Sequence, residues 1–124
     1  MEFKDNEAIY LQIANNVSEN ILLGSWEEED KIPSVRDLAS RMQVNPNTVI
    51  RTYEFLENQG FIYTKRGLGF FVSEGAIDKV KKYKRDSFMQ SDLPGIFRNM
   101  LLLGITPVEI EHQFEIFKKN SQLK

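Results

Sequence analysis

Apolar residues recur at helical spacing near the start of the chain and predict an amphipathic helix from about residue 7 to residue 23. Its buried face is expected to consist of Tyr10, Ile13, Ala14, Val17 and Ile21. Gly24 follows, and a glycine just past the last turn commonly ends a helix. A second, shorter helix is predicted after Ser34, a good N-cap, because Asp37 stands three residues later as in a capping box.

The third predicted helix begins at Asn45 and Pro46. Asn45 suits the N-cap position, and Pro46 suits the first helical position, where its missing N–H costs nothing. Gly60 supplies the expected end. Only the short connection 43–45 separates this helix from the second one, which is typical of a helix-turn-helix. Polar side chains that can face outward together at the leading end are Asn47, Thr48 and Arg51. Such groups suit contact with base edges in a DNA major groove.

Two short aromatic and β-branched runs follow, at residues 61–64 and 70–72. The segment between them is basic and contains Gly67, so a β-hairpin is predicted. A helix-turn-helix followed at once by a hairpin is a winged helix, which makes the predicted fold mainly α with a small β-hairpin. The residues predicted to contact DNA are Ser34, Arg36, Asn45, Asn47, Thr48, Arg51, Lys65, Arg66 and Gly67.

The pattern changes past residue 73, and more helices are predicted. A new helix is expected to start at Ser91-Asp92, and the capping box from Thr106 to Glu109 is expected to begin the last one. About fifty residues rarely close a core without a partner. We therefore predict a winged helix-turn-helix domain at 1–74 and a helical dimerisation segment at 75–124; the alternative is that the segment packs back on the winged helix. The predicted dimer interface comprises Ile77, Val80, Phe88, Phe97, Met100, Leu101, Phe114 and Phe117.

These motifs resemble the DNA-binding domain of GntR-type bacterial transcription regulators. The resemblance lies in Ile-Pro-Ser-Val-Arg-Asp-Leu-Ala at 32–39, Val-Asn-Pro-Asn-Thr-Val at 44–49, and the runs 56–62 and 67–72. The form of the turn and the short C-terminal part are most similar to the YtrA subgroup. Many family members carry Arg at the positions of Pro46 and Ile50.

The resemblance implies a regulator that binds a specific DNA sequence. It further implies that the regulator is a repressor and that it controls a transporter operon. Larger GntR regulators add an effector-binding domain of over a hundred residues, for which this chain has no room, and the sequence identifies no small-molecule effector. Because one winged helix neutralises few phosphates, we expect a homodimer on a pseudo-palindromic operator of double-stranded DNA. The alternative is a winged-helix module for protein contacts without specific DNA binding.

The composition and the distribution of charge limit the functions that the chain can have. The net charge of the 124 residues is −2, but residues 31–70 carry six cations against three anions, and the local sign governs phosphate binding. Cysteine is absent, the first residues are charged and no apolar run is long enough for a membrane span, so we expect a cytoplasmic protein without a signal peptide. His112, the only histidine, stands among glutamates. We therefore predict no catalytic site, metal or cofactor, and no enzyme activity.

Overall fold

The computed structural model describes residues 2–5 and 7–121. The chain forms two compact units, Met1–Lys84 and Arg85–Lys124. The elements, in chain order, are α1 Ile9–Leu22, α2 Val35–Met42, α3 Pro46–Asn58, β1 Ile62–Lys65, β2 Gly69–Val72, α4 Ala76–Ser87, a π-helical segment Phe88–Asp92, α5 Leu93–Leu103 and α6 Pro107–Asn120. This mainly helical fold with one antiparallel hairpin confirms the predicted fold class.

The core of the first unit lies where α1, α2, α3 and the hairpin meet. The largest fully buried side chains are Tyr53, Phe61, Ile13, Ile21, Leu56, Ile62, Val17, Val49, Val72, Val80 and Thr52. The predicted apolar face of α1 is buried at Ile13, Ala14, Val17 and Ile21, whereas Tyr10 is only half-buried. Burial of this continuous apolar surface is the main force that holds the three helices together.

The predicted caps of α2 and α3 are present. The Ser34 hydroxyl accepts a hydrogen bond from the Asp37 N–H at 3.1 Å, and the Asn45 carboxamide oxygen accepts one from the Asn47 N–H at 2.8 Å. The residue that ends α2 is Gln43, whose φ of 56° is left-handed. This conformation costs a side-chain-bearing residue roughly 1 kcal/mol, so a glycine would be the usual signal. The left-handed conformation of Gln43 could therefore not be predicted from the sequence.

The hairpin has a third, irregular strand beside it. β1 and β2 pair in an antiparallel register that joins Ile62 to Val72. On the other side of β2, residues 29–32 run alongside; the Ile32 N–H donates to the Phe70 carbonyl at 2.9 Å. The acidic turn, residues 27–30, and the segment before α2 are thus attached to the hairpin, which forms the wing. The local sequence pattern did not predict this pairing.

Two residues predicted for the dimer interface belong to the core of the first unit. Val80 is fully buried, and Ile77 packs partly buried against the same cluster. Ala76 is also fully buried, so the first turns of α4 cover an open side of the core. The predicted boundary after residue 74 falls inside the first compact unit, which reaches Lys84. The lysines of α4 that precede Lys84 are exposed, and this run of cations made the core role of α4 hard to predict from sequence.

Helix α5 begins at Leu93, directly after the start predicted at Ser91-Asp92, but the chain before it does not leave the helical conformation. The backbone stays helical there, Asp92 has φ −93° and ψ −43°, and its side chain makes no capping hydrogen bond. Instead the chain passes through the π-helical segment into α5. Pro94 offers no N–H to the helical ladder, and a π-bulge is one of the ways in which a helix accommodates such a gap.

The last two predicted boundaries are present. Gly104 ends α5 with a left-handed φ of 69°. The capping box of α6 is complete, because the Glu109 N–H donates to the Thr106 hydroxyl at 3.2 Å and the Thr106 N–H donates to a Glu109 carboxylate oxygen at 2.7 Å. These ends depend on residues within one turn of each other, which is why they can be read from sequence.

Candidate nucleic-acid interface

One side of α3 faces away from the core along the length of the helix. The buried side carries Val49, Thr52, Tyr53 and Leu56. The opposite, exposed side carries Asn47, Ile50, Arg51 and Glu54. These four residues follow the spacing i, i+3, i+4, i+7 that places side chains on one helical face. We call this surface the α3 stripe.

Hydrogen bonds hold α3 on both of its neighbours. The Thr52 hydroxyl lies 3.1 Å from the Tyr10 carbonyl of α1 and 2.9 Å from the Thr48 carbonyl of its own helix. The Tyr53 hydroxyl donates to the Pro33 carbonyl at 2.7 Å, just before α2. Burial raises the pKa of Tyr53, so its hydroxyl keeps the proton that it donates. The α3 stripe is therefore presented by a fixed helix.

The guanidinium of Arg51 stacks on the ring of Tyr10. The distance from its central carbon to the ring centroid is 4.0 Å, which is within cation–π range. Sequence reasoning assigned Tyr10 to the buried face of α1 and missed this contact. A tyrosine in the first turn of an amphipathic helix was the available signal, but only the packing of α1 on α3 reveals its partner. The groove beside this pair is lined by Ala8, Ile9, Tyr10, Asn47, Thr48 and Arg51.

The remaining predicted residues of the helix-turn-helix lie at the helix N-termini. Ser34 and Asn45 are exposed and act as the caps described above, and Arg36 is exposed in the first turn of α2. Helix N-termini carry a partial positive charge and free N–H groups, so both suit phosphate oxygens. Thr48 differs from its prediction, because it is half-buried and lies beside the α3 stripe rather than on it.

The predicted wing residues lie at the tip of the hairpin. Lys65, Arg66 and Gly67 are exposed, and Gly67 has a left-handed φ of 79° that lets the tip turn. The Lys65 ammonium lies 4.6 Å from the Phe71 ring centroid and 5.7 Å from that of Tyr63. These rings stack across the hairpin with their centroids 5.8 Å apart.

The same ring pair is attached to the acidic turn. The Tyr63 hydroxyl donates to the Glu29 carboxylate, and this hydrogen bond raises the pKa of Tyr63. Arg66 stands one residue beyond Lys65 at the tip. The wing thus presents two cations, of which Lys65 has an aromatic support.

We expect the double substitution Lys65→Ala with Arg66→Ala to weaken binding to every DNA duplex. Two lost phosphate contacts should reduce the salt slope of binding by up to about two. Stability should change by less than about 1 kcal/mol, because exposed charges and an exposed cation–π contact contribute little. Binding measured by fluorescence anisotropy across a salt series, together with thermal unfolding, checks both statements. The matched control exchanges the two cations, Lys65→Arg with Arg66→Lys; unchanged affinity of the Ala variant at low salt would show that the wing is structural only.

Among residues 2–5 and 7–121, no group of three or more histidine, aspartate or glutamate side chains is arranged to hold a metal ion. His112 is exposed on α6. Over the same residues, every helix is too short or too polar to cross a membrane.

A family model supports the interpretation of this surface. The model of bacterial regulatory proteins of the gntR family matches residues 9–72, which contain α1 to β2. The chain is similar to the HTH-type transcriptional regulator YhcF of Bacillus subtilis strain 168, with 36% identity over 118 residues, 94% of each chain. It is also similar to the HTH-type transcriptional repressor YtrA of the same strain, with 44% identity over 73 residues, 59% of this chain and 56% of that one.

Solved structures extend the similarity to the whole fold. A GntR-family transcriptional regulator from Bacteroides thetaiotaomicron superimposes with a TM-score of 0.77 at 44% identity, covering 91% of this chain and 98% of that one. The DNA-binding domain of AraR, solved in complex with an operator, matches with a TM-score of 0.50 at 30% identity, covering 52% of this chain and 77% of that one.

The family match covers the helix-turn-helix and the wing, and the similarity to YhcF covers almost the whole chain. The resemblance to the GntR family, with YtrA among its relatives, is therefore confirmed. Members of this family are DNA-binding transcription regulators and not enzymes. The chain belongs to the GntR family of bacterial regulatory proteins and is a transcriptional regulator with a winged helix-turn-helix DNA-binding domain.

Proposed function

We propose that this regulator is a repressor that binds a pseudo-palindromic operator as a homodimer. The observation that carries the proposal is the α3 stripe, a polar surface on a helix that is fixed on both sides and whose N-terminus is exposed. A helix of this kind fits the major groove, where amide and guanidinium groups can read base edges or hold phosphates. Binding a chromosomal operator also requires a cytoplasmic location.

In the proposed complex some residues of the interface contact bases and others contact phosphates. Asn47, in the first turn of α3, contacts a base edge, since a carboxamide can both donate to and accept from adenine. Arg51 contacts a phosphate, because the Tyr10 ring supports its guanidinium at one border of the stripe. Arg36 and the wing cations Lys65 and Arg66 add phosphate contacts, which position the helix without reading sequence.

The homodimer is proposed from the second unit. Within the described residues 85–121, no side chain is classed as buried. Large apolar side chains are exposed there instead; they include Phe88, Phe97, Leu101, Phe114 and Phe117, and Met100 is half-buried. An apolar surface of this kind needs a partner to exclude water. A second copy of the chain would cover it and would join two α3 stripes, which matches the two-fold symmetry of a pseudo-palindromic operator.

The direction of control and the target are proposed from the similar proteins. The relative YtrA of Bacillus subtilis carries the name of a repressor. The resemblance to the YtrA subgroup implies a transporter operon as the target. A dimer bound across a promoter would repress such an operon by excluding the polymerase. A reporter gene placed behind the bound promoter should therefore be expressed more strongly when the regulator is deleted.

Two substitutions in the α3 stripe test the proposed division of work. We expect Asn47→Ala to cost about 1–3 kcal/mol on the operator and little on random DNA, because only a base contact depends on sequence. Arg51→Ala should weaken binding to both and reduce the salt slope by about one, because a phosphate contact releases a counterion on any duplex. Equilibrium titrations of a selected operator and of a random duplex, repeated at several salt concentrations, distinguish the two effects.

The matched controls are Asn58→Ala, at the opposite end of α3, and Lys119→Ala, near the end of α6. Both are exposed and should leave binding unchanged. Equal losses on all duplexes for Asn47→Ala and Arg51→Ala would contradict the assigned roles. If the full chain shows no preference for any duplex, the alternative of a protein-interaction module is favoured.

A further inference from the structure

The α3 stripe contains one apolar side chain, Ile50, among polar neighbours. Ile50 is 43% exposed. It follows Asn47 by three residues, precedes Glu54 by four and stands next to Arg51 in the chain. Single exposed aliphatic side chains are ordinary on protein surfaces. The position of Ile50, rather than its exposure, is therefore what needs an explanation.

Ile50 and Arg51 occupy opposite borders of the stripe. Successive helical residues are about 100° apart, so Ile50, Glu54, Asn47 and Arg51 lie in that order around an arc of roughly 100°. The buried residues Val49, Thr52, Tyr53 and Leu56 occupy the other side of the helix. A duplex that meets Asn47 at the middle of the arc must also meet Ile50 at its border.

The bases offer Ile50 only one kind of favourable contact in a major groove. Most groups at the groove edge of a base pair are hydrogen-bond donors or acceptors, whereas thymine presents an apolar C5-methyl group. An aliphatic side chain packed against that methyl group removes apolar surface from water. If the same side chain packed against a donor or acceptor of a base, that polar group would lose water without gaining a hydrogen bond, which is unfavourable. An aliphatic side chain at this position in the groove would therefore favour thymine over the other bases.

We propose that Ile50 is a specificity-determining residue that packs against the C5-methyl group of a thymine in each half of the operator. This inference rests on the proposed function, because it requires the α3 stripe to enter the major groove. The half-site then contains an A·T pair next to the base that Asn47 contacts. Ile50 acts by apolar contact alone and adds nothing to the salt dependence of binding.

The test uses the full chain and a duplex that it selects from a randomised pool. Each thymine of the selected duplex is replaced in turn by uracil, which lacks only the C5-methyl group. For the unmodified chain we expect one position in each half-site where this replacement weakens binding about fourfold, the value for burial of one methyl group. For Ile50→Ala we expect weaker binding to the thymine duplex and no response to uracil at that position. The salt slope should be the same for both chains.

Leu23→Ala is the matched control, since Leu23 is an exposed aliphatic residue at the end of α1 and lies outside the stripe. It should respond to uracil like the unmodified chain. Thermal unfolding checks that each variant is folded. The inference is overturned if no thymine position responds, if the selected half-sites share no A·T pair, or if Ile50→Ala responds as strongly as the unmodified chain. Failure of the chain to select any duplex overturns the proposed function and this inference with it, whereas selection without a methyl response overturns the inference alone.

Discussion

Replacing Leu101 and Phe117 with glutamine is expected to convert the proposed dimer into a monomer and to weaken operator binding by about 100-fold or more. Leu101 is 86% exposed and Phe117 is 66% exposed in the single chain. A two-fold interface would bury each of them twice, so four carboxamides without partners would enter an apolar contact. Neutral glutamine leaves the charge of the protein unchanged, and with it the attraction to phosphate.

The expected loss of affinity is large because the proposed dimer joins two α3 helices, one for each half-site. In a dimer, the second half-site is bound as an intramolecular step, which raises affinity without a new contact. The loss should therefore appear on the complete operator and be nearly absent on a duplex that holds one half-site. Sedimentation at micromolar concentration and titration of both duplexes measure it, with Leu23→Gln as the control. A full chain that sediments as a monomer and still binds one half-site tightly would overturn the dimer proposal.

The second large expected effect is on stability, and it depends on the residue at which a shortened chain ends. A chain that ends after Lys84 should fold, whereas one that ends after Ser73 should lose about 3 kcal/mol or more of unfolding free energy. The shorter chain lacks the fully buried side chains of Ala76 and Val80 as well as half-buried Ile77. It also lacks the Lys84 ammonium, which is hydrogen-bonded to the Asn15 side chain.

Urea unfolding of both shortened chains measures this difference, since the slope reports the surface that is exposed and the product of slope and midpoint gives the free energy of unfolding. Val80→Ala in the full chain removes two methyl groups from the same site and should cost roughly 1.5–2 kcal/mol. Equal unfolding free energies for the two shortened chains would contradict the assignment of α4 to the core. The chain that ends after Lys84 should also be monomeric and should bind a half-site as the full chain does.

The ends of the helices could be read from sequence, because they depend on neighbouring residues. Asn45 with Pro46, and Thr106 with Glu109, satisfy the free N–H groups of a first turn, and that chemistry needs no distant partner. Gly104 similarly ends a helix through its own backbone conformation. The exception is Gln43, where surrounding structure imposes a left-handed conformation on a residue that does not prefer it.

The candidate site was predictable where it follows helical periodicity and not where it depends on packing. The exposure of Asn47 and Arg51 follows from the spacing of the apolar residues in α3. Thr48 was predicted to face outward with them, but it is half-buried and lines a groove together with Ile9 and Tyr10 of α1. Tyr10 is 41 residues away from Arg51 in the chain, so no local pattern could pair them.

The amino-acid sequence by itself determined the order of helices and hairpin, the starts of α2, α3 and α6, and the family, because caps, turns and periodic apolar faces act over a few residues. Tertiary structure alone decided that Val80 belongs to the core, that residues 29–32 join the wing, and that Arg51 stacks on Tyr10. Each of these depends on two segments far apart in the chain that meet only when apolar surface is removed from water. The conformational preferences of neighbouring residues therefore do not predict these contacts.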